Sequence, residues 1–229
     1  DKYLGEVIAS TFEKVGDNGV VSMEISNDEK TTAEIVDGAT LNKGLKSMHF
    51  VNNKEKGTCE LNNPLVLIVE DKIPNIRKIQ GILEYIIKEK EELLIIGDAD
   101  EQVITALAMN VMKGNIKVNV VDAPDYGINR KQILEDFAAL TGAKVINEEL
   151  GDDMDLIESG YLGTCLKVTT DNEETILQTE GINDDVEDLI KKIKKQLKET
   201  SVPFKKIQLE KRLSRLAGKV GVIKVGANS

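Results

Sequence analysis

The stretch "PLVLIVEDKIPNIRKIQGILEYIIKEKEELLIIG", Pro64 to Gly97, decides the fold class. It contains two short aliphatic runs, 65–69 and 93–97, each as long as a buried strand. Between them, residues 73–90 carry isoleucine and leucine at spacings of three and four, which predicts an amphipathic helix. A strand, a helix and a second strand in this order are typical of α/β proteins with parallel strands.

The same alternation continues on both sides of this stretch. Downstream, the pattern predicts a helix over 100–113, a strand over 116–121, a helix over 129–142, a strand over 143–146, a hairpin over 165–181, helices around 186–197 and 203–217, and a strand over 217–226. Upstream, it predicts a helix over 1–16, a turn over 16–19, and strands over 20–25 and 31–36. The fold class is therefore α/β, with mixed sheets flanked by helices.

Composition limits the classes of function. The chain has 229 residues and a net charge of −10, which argues against duplex DNA or an anionic membrane as a main partner. Its two cysteines, Cys59 and Cys165, are far apart and form no metal or redox motif, so a reducing compartment is expected. The chain opens inside a helical pattern, without a signal peptide, and is expected to be a piece of a longer protein.

Several catalytic signals are missing. The chain has neither the G-x-G-x-x-G loop nor the P-loop of nucleotide-binding proteins. Its one histidine, His49, has no Cys or Ser in a recognisable catalytic pairing. The acidic run 151–155 is compatible with a hard cation, but a solvated turn is the preferred interpretation because a metal loop needs further ligands at defined offsets.

The segment 36–53, "VDGATLNKGLKSMHFVNN", has the glycines and asparagines of a loop but also carries large apolar residues. These are Leu41, Leu45, Met48, Phe50 and Val51, at neither helical nor strand spacing. A solvated loop is usually polar. The apolar residues of this loop therefore indicate a contact with something else.

The helices predicted over 73–90 and 100–113 carry wide apolar stripes. On a helical wheel the first stripe spans roughly 140° and the second about 180°, with Met109 beyond it, whereas covering a sheet needs only about 100°. One interpretation is that both stripes are entirely core. The other joins their surplus edges to the apolar loop as one exposed groove, which would mark a binding site.

Four stretches resemble the group I chaperonins, the GroEL-like family, and the match runs nearly end to end. They are "VDGATLNKG", "LLIIGDADEQVITALAMNVMKG", "IKVNVVDAPDYGINRKQILEDFAALTGAKVINEELG" and "RLAGKVGVIKVGA". The resemblance implies a chaperonin apical-domain fold over 37–221, flanked by parts of an intermediate domain over 1–36 and 222–229. The equatorial domain, with the family's ATP site and ring contacts, would lie outside this chain.

The resemblance also implies a function and its residues. The family's apical domain captures non-native polypeptides, and docks the co-chaperonin's mobile loop, in a groove between two helices and a nearby loop. Carried onto this chain, the groove residues are Leu45, His49, Phe50, Gln80, Leu83, Glu84, Ile87, Ile104, Ala108 and Met109. The chain departs from the family at Leu45 and His49, where tyrosines are usual, at Met48, usually proline, and at Gln80, usually leucine.

The remaining expectations follow from this resemblance. The chain itself would have no catalytic residues, no cofactor and no ATPase activity, whereas the parent would use ATP and magnesium. Its partners would be non-native polypeptides, a GroES-like co-chaperonin and sister subunits in a ring, in the bacterial cytoplasm, the mitochondrial matrix or the plastid stroma. The alternatives are a nucleotide- or metabolite-binding α/β enzyme domain, which the missing glycine-rich loops disfavour, and a structural interaction domain.

Overall fold

The computed structural model describes residues 2–16 and 19–227. It is an α/β protein with mixed sheets flanked by helices, as predicted. The chain divides into two compact units. Unit 1 comprises Asp1–Thr40 and Gln178–Ser229, and unit 2 comprises Leu41–Leu177.

The elements follow one another as alternating strands and helices through the middle of the chain. The helices are α1 (Lys2–Val15), α2 (Gln80–Glu89), α3 (Glu101–Met112), α4 (Gly127–Thr141), α5 (Asp184–Glu199) and α6 (Pro203–Leu216). The strands are β1 (Val20–Ile25), β2 (Thr32–Leu41), β3 (Cys59–Asn62), β4 (Leu65–Val69), β5 (Leu93–Ile96), β6 (Val118–Val121), β7 (Val145–Ile146), β8 (Gly163–Thr164), β9 (Lys167–Thr170), β10 (Thr175–Gln178) and β11 (Lys219–Val225). Short 3-10 helices lie at Met48–Phe50, Ile76–Ile79, Glu148–Leu150, Met154–Leu156 and Ser159–Tyr161.

Unit 1 is built on strands in the order β1-β11-β2. β11 runs parallel to β1 and antiparallel to β2, so β1 and β2 are separated by the last strand of the chain. α1 packs on β1 and β11. The approach is close at Gly221, where a Cβ would lie 2.5 Å from Cγ2 of Thr11. α5 and α6 pack against each other.

Unit 2 contains a five-stranded sheet in the order β6-β5-β4-β7, with β8 paired to β4. β4, β5, β6 and β7 are parallel, and β8 is antiparallel. The strands are aliphatic and almost entirely buried, as expected for a parallel sheet that is covered on both faces. A second group of strands has the order β10-β9-β3, with β3 antiparallel to β9.

Two boundaries differ from the sequence predictions. The helix predicted over 73–90 is shorter, because Ile73 forms a parallel bridge with Ala99 and the regular helix begins only at Gln80, after a 3-10 turn. Pro74 favours the extended conformation of Ile73, since a proline restricts the residue before it. The turn predicted over 16–19 includes Asp17 and Asn18, which lie outside the described residues.

The compact units do not follow the domain boundaries implied by the chaperonin resemblance. The predicted apical range, 37–221, contains all of unit 2 together with α5, α6 and part of β11 from unit 1. The predicted flanking parts, 1–36 and 222–229, both fall within unit 1, and residues 1, 17, 18, 228 and 229 of these parts lie outside the described chain. The boundaries at 36/37 and 221/222 stay a prediction.

Candidate functional site

The strand order of unit 2 places α2 and α3 on the same face of the parallel sheet. The chain moves from β4 to β5 and then to β6 in one direction, and right-handed crossovers put both connecting helices on one side. The next connection runs back from β6 to β7, so α4 covers the opposite face, where it contacts β4 and β7. α2 and α3 are therefore neighbours in one layer.

α2 divides into a buried and an outer face. Ile82 and Ile86, four positions apart, are buried. On the outer face Leu83 is half-buried and Ile87 is exposed, so part of the wide stripe predicted from the sequence remains at the surface. Beyond Ile87 the surface of α2 is polar, and Gln80 there donates a hydrogen bond from Nε2 to Oε1 of Glu84 at 3.1 Å.

α3 shows the same division. Val103 and Leu107 are buried, as is the neighbouring Ala108. Ile104 is half-buried, whereas Met109 and Met112 are exposed large apolar side chains. The helix is capped at its start by Asp100, whose side chain accepts a hydrogen bond from the Gln102 amide at 3.1 Å.

The apolar loop of the sequence is held in place by the turn between β9 and β10. The Leu45 amide donates a hydrogen bond to the Asp171 carbonyl at 2.9 Å. At Gly44, a Cβ would lie 2.2 Å from the carbonyl oxygen of Asn172, so only glycine allows this close approach. The loop then forms the 3-10 helix Met48–Phe50, which contacts α3.

Six of the apolar side chains that stay exposed or half-exposed on these three elements are grouped as one surface. We call them the α2–α3 surface: Met48, Leu83, Ile87, Ile104, Met109 and Met112. Leu45 is half-buried on the loop, and the His49 imidazole is exposed on the 3-10 helix. Gln80 and Glu84 are exposed on α2.

Two of the residues predicted for the groove lie beneath this surface. Phe50 is among the largest fully buried side chains, and Ala108 is also buried. Phe50 is the inward-facing residue of the 3-10 helix, and Ala108 follows Leu107 on the inner side of α3. In this structure neither side chain is accessible to a partner, and both act as packing residues.

A pocket of about 530 Å³ opens at the C-terminal ends of α2 and α3. Ile86 and Ile87 from α2 and Val111 from α3 line it, together with Phe50 and Cys59. Sequence analysis missed this pocket, although Gly114 and Asn115, which also line it, mark a turn directly after α3.

The pocket lining is mixed, with apolar side chains beside the charged Lys90, Glu91, Glu92 and Lys117. Burial raises the pKa of the Cys59 thiol from 9.0 to about 12, and the nearby Lys117 offsets this only in part. The thiol therefore stays protonated near neutral pH and is a poor nucleophile. At the rim, Lys117 forms an ion pair with Glu92 at 3.1 Å.

The carboxyl ends of the parallel strands, where α/β enzymes usually bind their ligands, are occupied by internal ion pairs. Asp98, after β5, pairs with Arg130 at 2.9 Å, and Asp122, after β6, pairs with Lys46 at 2.9 Å. Arg130 also donates from Nε to the Asp125 carbonyl at 2.8 Å, which fixes the loop before α4. These carboxylates therefore connect the ends of β5 and β6 to α4 and to the loop that contains Lys46.

Other classes of site find little support. Among residues 2–16 and 19–227, no group of three or more His, Cys, Asp or Glu side chains is placed to hold a metal ion. In the acidic run 151–155, Asp155 pairs with Lys78 at 3.0 Å, and Asp152 accepts a hydrogen bond from the Asn147 backbone N–H at 2.9 Å.

Within the part of the chain that the structure describes, none of the helices has the length and apolar character that a bilayer crossing requires. No known protein-family model matches the chain.

Proposed function

We propose that this chain is the polypeptide-binding apical module of a group I chaperonin subunit. It would capture non-native polypeptides and dock the mobile loop of a co-chaperonin through the α2–α3 surface. One observation carries the proposal: the α2–α3 surface leaves large apolar side chains exposed or half-exposed on two neighbouring helices and on a 3-10 helix that contacts one of them. Exposed apolar patches usually mark binding sites.

The chemistry of the surface suits this role. Unfolded chains expose apolar segments, and burying them contributes about 25 cal/mol per Å². Methionine at positions 48, 109 and 112 adds side chains that adapt to ligands of different shape. A single shallow surface binds weakly, but a ring of subunits presents several copies to one unfolded chain and raises the avidity strongly.

The residues of the site take three roles in this proposal. Direct contacts come from Leu83, Ile87, Ile104 and Met109, with Leu45 and His49 contributing from the loop. Gln80 and Glu84 form a polar rim along α2. Phe50 and Ala108 support the contact residues from below, since both are buried.

The parent protein would contain further parts. Residues 37–221 would form the apical domain, and 1–36 with 222–229 would join an intermediate domain. ATP, magnesium and the ring contacts would belong to regions beyond this chain, so the chain alone would not hydrolyse ATP. The compartment would be the bacterial cytoplasm, the mitochondrial matrix or the plastid stroma.

Binding of a permanently unfolded protein tests the proposal. A fluorescently labelled, reduced and carboxymethylated small protein is titrated with this chain, and its anisotropy is followed. We expect saturable binding that the folded, disulfide-bonded form of the same protein does not show. Equal binding of both forms, or of neither, would refute the proposal.

The parallel α/β sheet keeps one alternative open, a nucleotide- or metabolite-binding domain. A thermal shift measurement separates the two functions, because a ligand that binds the native state raises the melting temperature. We expect magnesium-ATP to leave the melting temperature unchanged. A saturable increase with ATP, together with no binding of the unfolded protein, would favour the alternative.

A further inference from the structure

Methionines are concentrated on the α2–α3 surface. The chain has five methionines, and three of them belong to this surface, Met48 at 61% exposed, Met109 at 50% and Met112 at 62%. Met154, also in unit 2, is 1% exposed, which is the usual environment of this residue. The three exposed thioethers are therefore an unusual feature of one surface.

The three side chains share that surface because of local geometry. Met109 and Met112 are three positions apart on α3, so they project from the same side of the helix. Met48 lies on the 3-10 helix that contacts α3. Solvent, and any small oxidant dissolved in it, reaches all three side chains without unfolding of the domain.

We propose that Met48, Met109 and Met112 form an oxidative modification site that controls ligand binding. Hydrogen peroxide or hypochlorous acid would convert the thioethers to sulfoxides, and the oxidised surface would bind apolar polypeptide more weakly. The effect on binding rests on the function proposed above, whereas the oxidation of these three residues ahead of the buried Met154 does not.

The chemical step is an oxygen-atom transfer. A lone pair of the methionine sulfur attacks one oxygen of hydrogen peroxide, the O–O bond breaks, and the S–O bond of the sulfoxide forms. The sulfur loses two electrons, and the second peroxide oxygen leaves as water after taking up the proton from the oxygen that is transferred. Methionine sulfoxide reductases reverse this change, so the modification can act as a switch.

The physical consequence follows from the polarity of the product. A sulfoxide carries a strong hydrogen-bond acceptor where the thioether was nearly apolar. An apolar ligand that covers this oxygen removes its water and offers no donor in return, which weakens binding. Three such groups on one surface would change it from an apolar patch to a polar one.

Peptide mass spectrometry after limited peroxide treatment tests the site itself. We expect Met48, Met109 and Met112 to be oxidised while Met154 is spared. Met23, on β1 in unit 1, is 40% exposed and serves as an exposed reference away from the surface. Oxidation of Met154 as fast as the three, or resistance of the three, would overturn the proposal.

Binding of the labelled unfolded protein before and after peroxide tests the consequence. We expect oxidation to weaken binding by about tenfold, the order of one desolvated polar group without a partner. A chain with Met48→Leu, Met109→Leu and Met112→Leu is compared with its own untreated form, so any change in its basal affinity cancels, and peroxide should leave its binding unchanged. A Met23→Leu chain should lose binding after peroxide as the parent does.

The outcomes separate the two proposals. Selective oxidation with unchanged binding would overturn the switch and leave the proposed function standing. An unoxidised chain that binds no unfolded protein would remove the proposed function and the switch together, although selective oxidation would still be visible. Loss of binding in the triple leucine chain after peroxide would show that another group is responsible and would overturn the assignment to these methionines.

Discussion

The two helical layers on the parallel sheet of unit 2 differ in how completely they bury their apolar side chains. On α4 the buried Ile133, Leu134, Phe137 and Leu140 span an arc of about 120°, close to what one sheet face covers. On α3 the buried Val103, Leu107 and Ala108 span a similar arc of about 140°, but Met109 and Met112 lie outside it and are exposed. The two helices therefore differ in the large apolar side chains left outside the buried arc, two methionines near the end of α3 against Ile128 in the first turn of α4, and not in the width of the buried arc.

The prediction with the largest expected effect on stability compares one residue from each layer. Phe137→Ala should destabilise the chain by about 3–5 kcal/mol, because it leaves a cavity in a fully buried site. Met112→Ala should change stability by less than about 0.5 kcal/mol, since its side chain is exposed. Urea unfolding followed by circular dichroism gives both values. Similar losses for the two variants would mean that Met112 is part of the core.

A second test uses the pKa of Cys59, which lines the pocket between the ends of α2 and α3. The thiol stays protonated in the folded chain up to about pH 12 but ionises near pH 9.0 when unfolded. The contribution of the Cys59 thiol to the free energy of unfolding is fully present below pH 9. It is lost as the pH rises, because only the unfolded chain ionises there, by up to roughly 1.4 kcal/mol per pH unit.

The matched control for this pH dependence is Cys59→Ala. Other groups also titrate above pH 9, so the quantity of interest is the difference between parent and variant. We expect this difference in unfolding free energy to shift by about 2–3 kcal/mol between pH 9 and pH 11, in favour of the variant. A constant difference would show that solvent reaches Cys59 and that this part of the α2–α3 layer opens readily.

Much of the fold could be predicted from the sequence because local periodicity determines it. The alternation from Leu65 onward identified the strands and helices of the parallel sheet, and the caps at Asp100 and Gly142 explain why α3 and α4 begin and end near their predicted limits. The position of β11 between β1 and β2 could not be predicted, since pairing between distant segments leaves no local pattern.

The candidate site was predictable to a lesser degree. Stripe width identified apolar residues that remain at the surface on α2 and α3, such as Ile87 and Met109. The sequence could not indicate that Phe50 and Ala108 turn inward, because the contact of the 3-10 helix with α3 decides their burial. The pocket was missed for the same reason, since its lining comes from segments far apart in the chain.

A third test compares exposed isoleucines of the two layers. Ile87→Glu should weaken binding of the unfolded protein by about tenfold, because a carboxylate on the contact surface must lose water when ligand binds. Ile128→Glu on α4 makes the same change at an exposed isoleucine of the other layer and should not affect binding. Fluorescence anisotropy measures both affinities. Equal losses would mean that the binding surface is not confined to the α2–α3 layer.

A smaller effect is expected inside the sheet that the two layers share. Asn119 on β6 is fully buried, and among the described atoms its amide nitrogen and oxygen have no hydrogen-bond partner. Asn119→Val should raise stability by about 1 kcal/mol, since an unsatisfied polar group is replaced by an apolar β-branched one that suits a strand. Thermal unfolding measures the change. A lower melting temperature would indicate that Asn119 is satisfied by an internal water.

The smallest effect concerns the polar edge of the α2–α3 layer. Gln80→Leu removes the hydrogen bond to Glu84, an exposed pair four positions apart that contributes about 0.2–0.5 kcal/mol to the helix. It also adds apolar surface beside Leu83, where an amide would demand hydrogen bonds that an apolar ligand cannot supply. We therefore expect binding of an apolar peptide to tighten by about twofold to fivefold, at most about 1 kcal/mol.

Calorimetric titration of an apolar peptide into the parent, Gln80→Leu and Glu84→Gln separates the causes of this last effect. Glu84→Gln changes the partner in the hydrogen bond but adds no apolar surface, so it should leave the affinity nearly unchanged. If both variants tighten binding equally, the cause is the weakened interaction between the side chains at positions 80 and 84 and not the added apolar surface. If Gln80→Leu binds equally or more weakly than the parent, Gln80 lies outside the contact or donates to the peptide backbone, and the binding surface ends at Leu83.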